Sequence, residues 1–204
     1  MIAVIYASDY LGGIGLAGKI PWRCSSDTER FWATVADDPI VVGSSTWKGL
    51  APIAKKHRHD NAKTYVLSRH FWEKPKDSNV RIVTVDDVVR INKASPDRLI
   101  WVCGGAQTYN AFFDENAVDF IIATTILDAY FTDTKLFKDL RSFDYRHIEG
   151  FTQILPPCLF RRYVDEPSYE IRVWANTKKL KEKKIDAKKF LTACHYDYRF
   201  GDKE

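Results

Sequence analysis

The chain has 204 residues, 45% hydrophobic and 28% charged, which is the balance of a folded globular protein and excludes a disordered one. Its formal net charge of +4 is mild and favours anionic ligands only slightly, because much of it sits in one lysine-rich run near the C-terminus. The four cysteines, Cys24, Cys103, Cys158 and Cys194, are far apart and form no C-x-x-C pair, which argues against a zinc site or a secreted disulfide framework and suits a reducing cytoplasm.

The opening residues carry no basic flank and too short an apolar run for a signal peptide. Residues 2–7 are continuously apolar and read as a strand buried on both faces. Residues 26–36 read as a helix. It opens with the capping-box spelling Ser26-Asp27-Thr28-Glu29 and carries Phe31, Trp32 and Val35 as its apolar stripe. An acid in a first helical turn commonly just meets the helix dipole, so spacing alone leaves Asp27 either structural or functional.

Residues 39–43 form a second buried strand ending in Gly43, followed by Ser44, Ser45 and Thr46 and a short helix over 46–50. Those hydroxyls either cap the helix or face an anion. Residues 63–68 are a strand that exits into Ser68-Arg69, a hydroxyl and a guanidinium able to grip a phosphate monoester. A strand at 81–85 precedes a helix at 86–93. Residues 99–104 then run into Gly104-Gly105 and a helix over 106–113. Glycine lets the backbone approach a ligand, and a helix start offers free N–H groups. Three strand exits with anion-friendly chemistry point to a dinucleotide, since ligands of open α/β sheets bind beyond the carboxyl ends of strands.

Residues 120–126 form the longest apolar strand, and the apolar run to Leu127 is far too short to span a bilayer. The last two candidate strands, 145–153 and 169–175, follow each other without a helix, which suggests an antiparallel edge. The strand–helix alternation before them implies right-handed crossovers and a largely parallel sheet. After Asn176 the composition shifts: Lys178, Lys179, Lys181, Lys183, Lys184, Lys188 and Lys189 crowd a segment whose apolar residues make only a ragged stripe. It reads as a solvated, helical extension over 177–204, with a nucleic-acid contact as the alternative. The chain is read as a monomer or homodimer.

The stretch Ile14-Gly15, a loop, Pro21-Trp22, Asp27 and then Phe31 resembles the dihydrofolate reductase family. The likeness continues in order through residues 39–47, Val66-Leu67-Ser68-Arg69, residues 101–109, and Thr124 followed by Thr132-Asp133-Thr134, with Leu136 where an aromatic is expected. It covers residues 1–176. The resemblance implies an α/β fold with an eight-stranded, mostly parallel sheet, an antiparallel C-terminal edge strand and four flanking helices. It implies NADPH-dependent reduction of 7,8-dihydrofolate to tetrahydrofolate, by hydride transfer to C6 and protonation of N5.

Carried over residue by residue, Asp27, Trp22 and Thr124 are the catalytic set, and Ile5, Ala7, Phe31, Leu50 and Cys103 complete the substrate pocket. Ile14 and Ile20 bound the loop over the nicotinamide, which Ala7 and Cys103 also flank. Gly43, Ser44, Ser45, Thr46, Gly104, Gly105, Ala106, Gln107, Thr108 and Tyr109 cradle the pyrophosphate. Leu67, Ser68 and Arg69 hold the 2′-phosphate end. Two positions depart from the family. Ala62 stands where an arginine binds the substrate's α-carboxylate, leaving Arg58, Lys55 and Lys63 as candidates. Ser44 stands where many relatives are basic. Two other readings compete: the pyrimidine reductase of riboflavin synthesis, on the same fold, and a non-catalytic relative with a binding role.

Overall fold

The computed structural model describes residues 1–68, 77–136, 150–161 and 165–193. In chain order they form β1 (Ile2–Ser8), β2 (Gly13–Gly15), α1 (Ser25–Val35), β3 (Ile40–Gly43), α2 (Ser44–His57), β4 (Thr64–Leu67), β5 (Val80–Val83) and α3 (Val85–Ala94). There follow β6 (Ile100–Val102), α4 (Ala106–Asp114), β7 (Phe120–Ile126), β8 (Thr134–Lys135), β9 (Phe151–Gln153), β10 (Cys158–Phe160), β11 (Tyr169–Asn176), α5 (Thr177–Lys183) and α6 (Ala187–Ala193).

The main sheet runs β10-β11-β7-β1-β6-β3-β4-β5, with β9 also paired to β11. From β7 through β5 every neighbour is parallel, whereas β11 is antiparallel to β7, β9 and β10. The mostly parallel sheet with an antiparallel C-terminal edge is therefore as expected. β9 and β10 share the flank of β11, β9 against its end and β10 against its start. Part of the expected strand at 145–153 lies outside the described residues; β9 is its visible end. β10 and the small β2–β8 sheet were not foreseen, because strands of two or three residues carry no legible alternation.

Why the sheet forms here is plain from β1. Met1, Ala3 and Ile5 enter one buried cluster, while Ile2, Val4 and Tyr6 enter the other, so the period of two fills a core on each face. One cluster contains Trp32 and Val35 of α1 and Ala54 of α2. The other contains Val88 of α3 and Tyr109 and Phe112 of α4. Helix α3 begins at a true capping box: Asp87 N–H donates to Thr84 Oγ1 at 3.2 Å and Thr84 N–H donates to Asp87 Oδ2 at 2.9 Å. Helix α2 is longer than the expected 46–50, starting at Ser44 and continuing past Pro52 to His57, with Ala54 as its buried anchor.

The C-terminal segment departs from the solvated tail expected of it. Phe190 is fully buried, its ring stacked on Phe120 with centroids 3.7 Å apart and tilted against Trp101 at 5.9 Å. Leu180 is also buried, and Lys183 Nζ donates to Asp119 Oδ1 at 2.6 Å. The ragged stripe has a physical origin. Two short helices meet at Lys184, which adopts a left-handed conformation (φ 55°), so no single helical period runs through the segment. Among the described residues no helix is long and apolar enough to cross a membrane, and no cluster of three metal-ligating side chains occurs.

Candidate active site

A cavity of about 550 Å³ opens beyond the carboxyl ends of β1, β6 and β7, between α1 and α2. β1 supplies Ile5 and Ala7, β7 supplies Thr124, Cys103 follows β6, and α1 supplies Asp27 and Phe31. The register of β1 on β7 places Ala7 opposite Thr124. This is the crevice that strand order predicts: β1 and β6 are neighbours, and the helices that follow them pack on opposite faces, α1 in one core and α4 in the other.

Asp27 is 8% exposed and lies in the first turn of α1. Its Oδ1 accepts from Thr124 Oγ1 at 3.0 Å and from Arg30 Nη2 at 2.5 Å; the same Nη2 donates to Thr124 Oγ1 at 2.7 Å. Asp27, Arg30 and Thr124 thus form a closed triangle on the cavity wall. The expected capping box at Ser26 does not form. Helix α1 begins one residue earlier, with Cys24 as N-cap and no side-chain cap of its own. Glu166 closes the end instead: its carboxylate accepts from Ser25 N–H at 2.9 Å, Ser26 N–H at 3.3 Å and Ser26 Oγ at 3.0 Å. Burial pushes the Glu166 carboxyl up, but these hydrogen bonds outweigh it and hold the group below its ordinary value.

The remaining walls are apolar. Phe31, Leu50 and Ile53 line the gap between α1 and α2, and Ile20 lines the mouth while 64% exposed. Trp22 is buried against Tyr130, ring centroids 5.6 Å apart. Burial pushes the Cys103 thiol up to about 12 and the Tyr109 phenol well above its usual value, so both stay neutral. Tyr109 Oη accordingly donates to the Ile5 carbonyl at 3.0 Å and fixes the end of β1 against α4.

The segment from Tyr10 to Ile20 reaches the cavity at Ile20. Its base is tied by Asp9, a fully buried carboxylate that accepts from the N–H groups of Leu11 (3.0 Å), Gly13 (2.6 Å) and Tyr130 (3.0 Å). A Cβ at Gly13 would lie 2.3 Å from Thr132 Oγ1, so only glycine lets β2 approach that loop. Further along, Ala17 N–H donates to Asp133 Oδ2 at 2.8 Å, the leading reason that the Asp133 carboxyl sits below its usual value. Ile14, expected in this loop, packs partly into the second core.

The ends of β3 and β6 lie side by side next to this cavity. Gly43 N–H donates to the Gly104 carbonyl at 2.7 Å, and a Cβ on Gly43 would meet Thr108 Oγ1 at 2.7 Å. Gly104 has φ +110°, and the Gly104–Gly105 peptide is cis. A Cβ on Gly105 would stand 3.3 Å from Thr46 Oγ1. Ser44, Ser45 and Thr46 open α2 beside it, and Ala106, Gln107 and Thr108 open α4. Leu67 ends β4 opposite Gly43, with Ser68 next. Arg69 lies outside the described residues.

All of the sequence-predicted substrate residues therefore face one cavity; of the described cofactor residues, those of 43–46, 67–68 and 103–109 lie at the neighbouring strand exits, Ile20 lines the cavity, and Ile14 packs against the second core instead. Of the three candidates for the missing arginine, Arg58 gives its guanidinium to the carbonyls of Val35 (2.6 Å), Asp38 (2.8 Å) and Lys63 (3.0 Å). Lys63 Nζ donates to Asn79 Oδ1 at 2.5 Å, and Lys55 is exposed. None of them lines the cavity. Sequence reading missed Arg30, although a cation three residues after an acid on a helix shares its face. It also missed Glu166, which no local pattern could connect to Ser25.

Comparison with known proteins places these features in context. A family model described as dihydrofolate reductase matches residues 1–152. The dihydrofolate reductase of Mycoplasma pneumoniae is 26% identical over 147 residues, which is 71% of this chain and 88% of that protein. The dihydrofolate reductase of Enterococcus faecium is 28% identical over 131 residues, 64% of this chain and 74% of that one. A solved dihydrofolate reductase from Enterococcus faecalis, complexed with NADP(H) and RAB-propyl, superposes with a TM-score of 0.67 at 18% identity, covering 86% of this chain and 95% of its own.

Proposed function

The chain belongs to the dihydrofolate reductase family, and on that footing we propose that it uses NADPH to reduce 7,8-dihydrofolate to 5,6,7,8-tetrahydrofolate. The observation that carries this reading is a buried carboxylate, Asp27, set among apolar and aromatic walls deep enough to take a flat heterocycle. A pterin seated there would offer its N3–H and 2-amino group to Asp27. Phe31, Leu50 and Ile53 would pack on its apolar surface and on the aminobenzoyl ring, while Ile5, Ala7 and Cys103 close the inner end.

The residues at the ends of β3 and β6 fit a phosphate-rich cofactor. Gly43, Gly104 and Gly105 let these strand exits close on Thr108, Tyr109 and Thr46, where Cβ atoms would stand 2.7, 2.9 and 3.3 Å away, and α2 and α4 begin there with N–H groups suited to an anion. Thr46, Thr108 and Gln107 add side-chain donors there, and the hydroxyl and guanidinium of the Ser68-Arg69 pair that follows β4 in the sequence would suit the 2′-phosphate. Held there, NADPH would supply the hydride for C6 of the pterin. Asp27 orients the ring and polarises it toward proton uptake at N5, which a solvent water delivers. The segment from Tyr10 to Ile20, latched by Asp133, excludes bulk water from the reacting face.

The cysteines Cys24, Cys103 and Cys158, far apart in the sequence and without a C-x-x-C pair, favour a reducing, cytoplasmic setting. Purified protein tests the reading directly. NADPH oxidation should require dihydrofolate and should not be supported by a phosphoribosylamino-pyrimidine. Turnover of the pyrimidine alone would transfer the reading to the riboflavin-type reductase, and turnover of neither would leave a non-catalytic binding role.

A further inference from the structure

Arg30 is the feature of the cavity that the reaction scheme above does not use. Its side chain retains 20% exposure and lines the cavity, yet Nε and Nη1 are buried and meet no partner among the described residues. Only Nη2 is engaged, and it is engaged twice, on Asp27 Oδ1 and Thr124 Oγ1. Arg58 makes the contrast. A guanidinium serving the fold spreads its donors over backbone carbonyls, and Arg58 spreads its own over three. A buried donor without a partner is costly, so Arg30 is held where it is despite a penalty.

We propose that Arg30 is a positioning residue for the reaction: together with Thr124 it fixes the Oδ1 edge of Asp27, turns Oδ2 toward the heterocycle and balances the charge of the carboxylate. This rests on the dihydrofolate reading. The geometry is specific. Both described hydrogen bonds to the carboxylate fall on Oδ1, none uses Oδ2, and Thr124 reaches the pair from the opposite element, β7. A carboxylate gripped on one oxygen cannot swing, so its other oxygen has a defined place to meet an N–H of the substrate.

The pH dependence follows. The other titratable groups around Asp27 are Cys24 at the N-cap of α1 and Tyr169 of β11, both pushed up chiefly by burial, with Glu166 beyond Cys24 and held low. Cys24 and Tyr169 are therefore neutral through the acid range. Removing the Arg30 cation takes away the counter-charge beside the Asp27 carboxylate.

The test measures kcat/KM for dihydrofolate from acid to alkaline pH in wild type, R30K, R30Q and R30M. Substrate ionisation is common to all four and cancels in the comparison. The expected result is an acid limb in which kcat/KM begins to fall at higher pH in R30M and R30Q than in wild type, with R30K restored most of the way to wild type. A merely structural defect would lower the rate equally at every pH and leave the limb in place. Parallel profiles, or an R30K no better than R30M, would overturn the proposal. Should R30M lack a native circular dichroism spectrum, the R30K–R30Q pair decides on the same criterion. A wild-type chain that does not turn over dihydrofolate at any pH overturns the functional reading and this inference together. An active wild type with an unshifted R30M limb overturns this inference alone.

Discussion

Asp27→Asn should damage both the chemistry and the fold, and the structure sets the size of each effect. The amide keeps the shape of the side chain but loses the charge and one acceptor, so a pterin no longer finds a carboxylate on its amino edge. Loss of one preorganised electrostatic group typically lowers turnover about 10²- to 10³-fold, or roughly 3–4 kcal/mol in the barrier. The second effect falls on Arg30, whose only described partners are Asp27 and Thr124. Breaking a buried ion pair from one side costs about 3–5 kcal/mol. Here the two side chains keep 12% and 20% exposure, and the amide oxygen still accepts a bond from Nη2, which reduces the expected cost to about 2 kcal/mol. In a chain of this length that lowers Tm by about 4–8 °C. Urea unfolding of Asp27→Asn, Arg30→Met and the double variant separates the contributions, with a coupling of about 1–2 kcal/mol between the two positions. An Asp27→Asn protein with wild-type kcat/KM would refute the catalytic assignment. Unchanged urea midpoints with additive doubles would refute the energetic importance of the triangle.

Phe190→Ala should destabilise the protein by about 3–5 kcal/mol, read as a shifted urea midpoint. Phe190 packs on Trp101 and Phe120 at the starts of β6 and β7, away from the cavity, so KM for dihydrofolate should hold while the protein remains folded. Gly43→Ala forces a methyl group to within 2.7 Å of Thr108 Oγ1; overpacking of about 1–3 kcal/mol should weaken NADPH affinity about tenfold, measured by fluorescence titration. Glu166→Gln should lower stability at neutral pH and flatten its acid dependence. The native carboxyl sits below the ordinary 4.5, so its contribution is complete above that value and is lost as the pH falls through the native titration. Chemical unfolding from pH 3 to 7 would show the difference, and a wild-type slope in the variant would contradict it.

The sequence made the parallel sheet legible because its central strands are continuously apolar and its helices follow at regular spacing. The cavity was legible through a run of positions, Trp22 to Phe31, that lie on one helix and its approach. What stayed hidden was non-local or very short. Glu166 caps α1 from 141 positions away, and no local rule joins them. Phe190 looked like part of a charged tail because two brief helices break the period at Lys184. Arg30 was visible in spacing but was passed over, since a surface ion pair is the common reading of an acid and a base three residues apart.

A crystal grown with folate and NADP⁺ together would test the core of the account. Asp27 Oδ2 should lie within hydrogen-bond distance of the pterin's amino edge, and the dinucleotide's phosphates should rest against Gly43, Gly104 and Gly105. Electron density with the pterin bound elsewhere, or with the Asp27 carboxylate rotated out of the cavity, would contradict it.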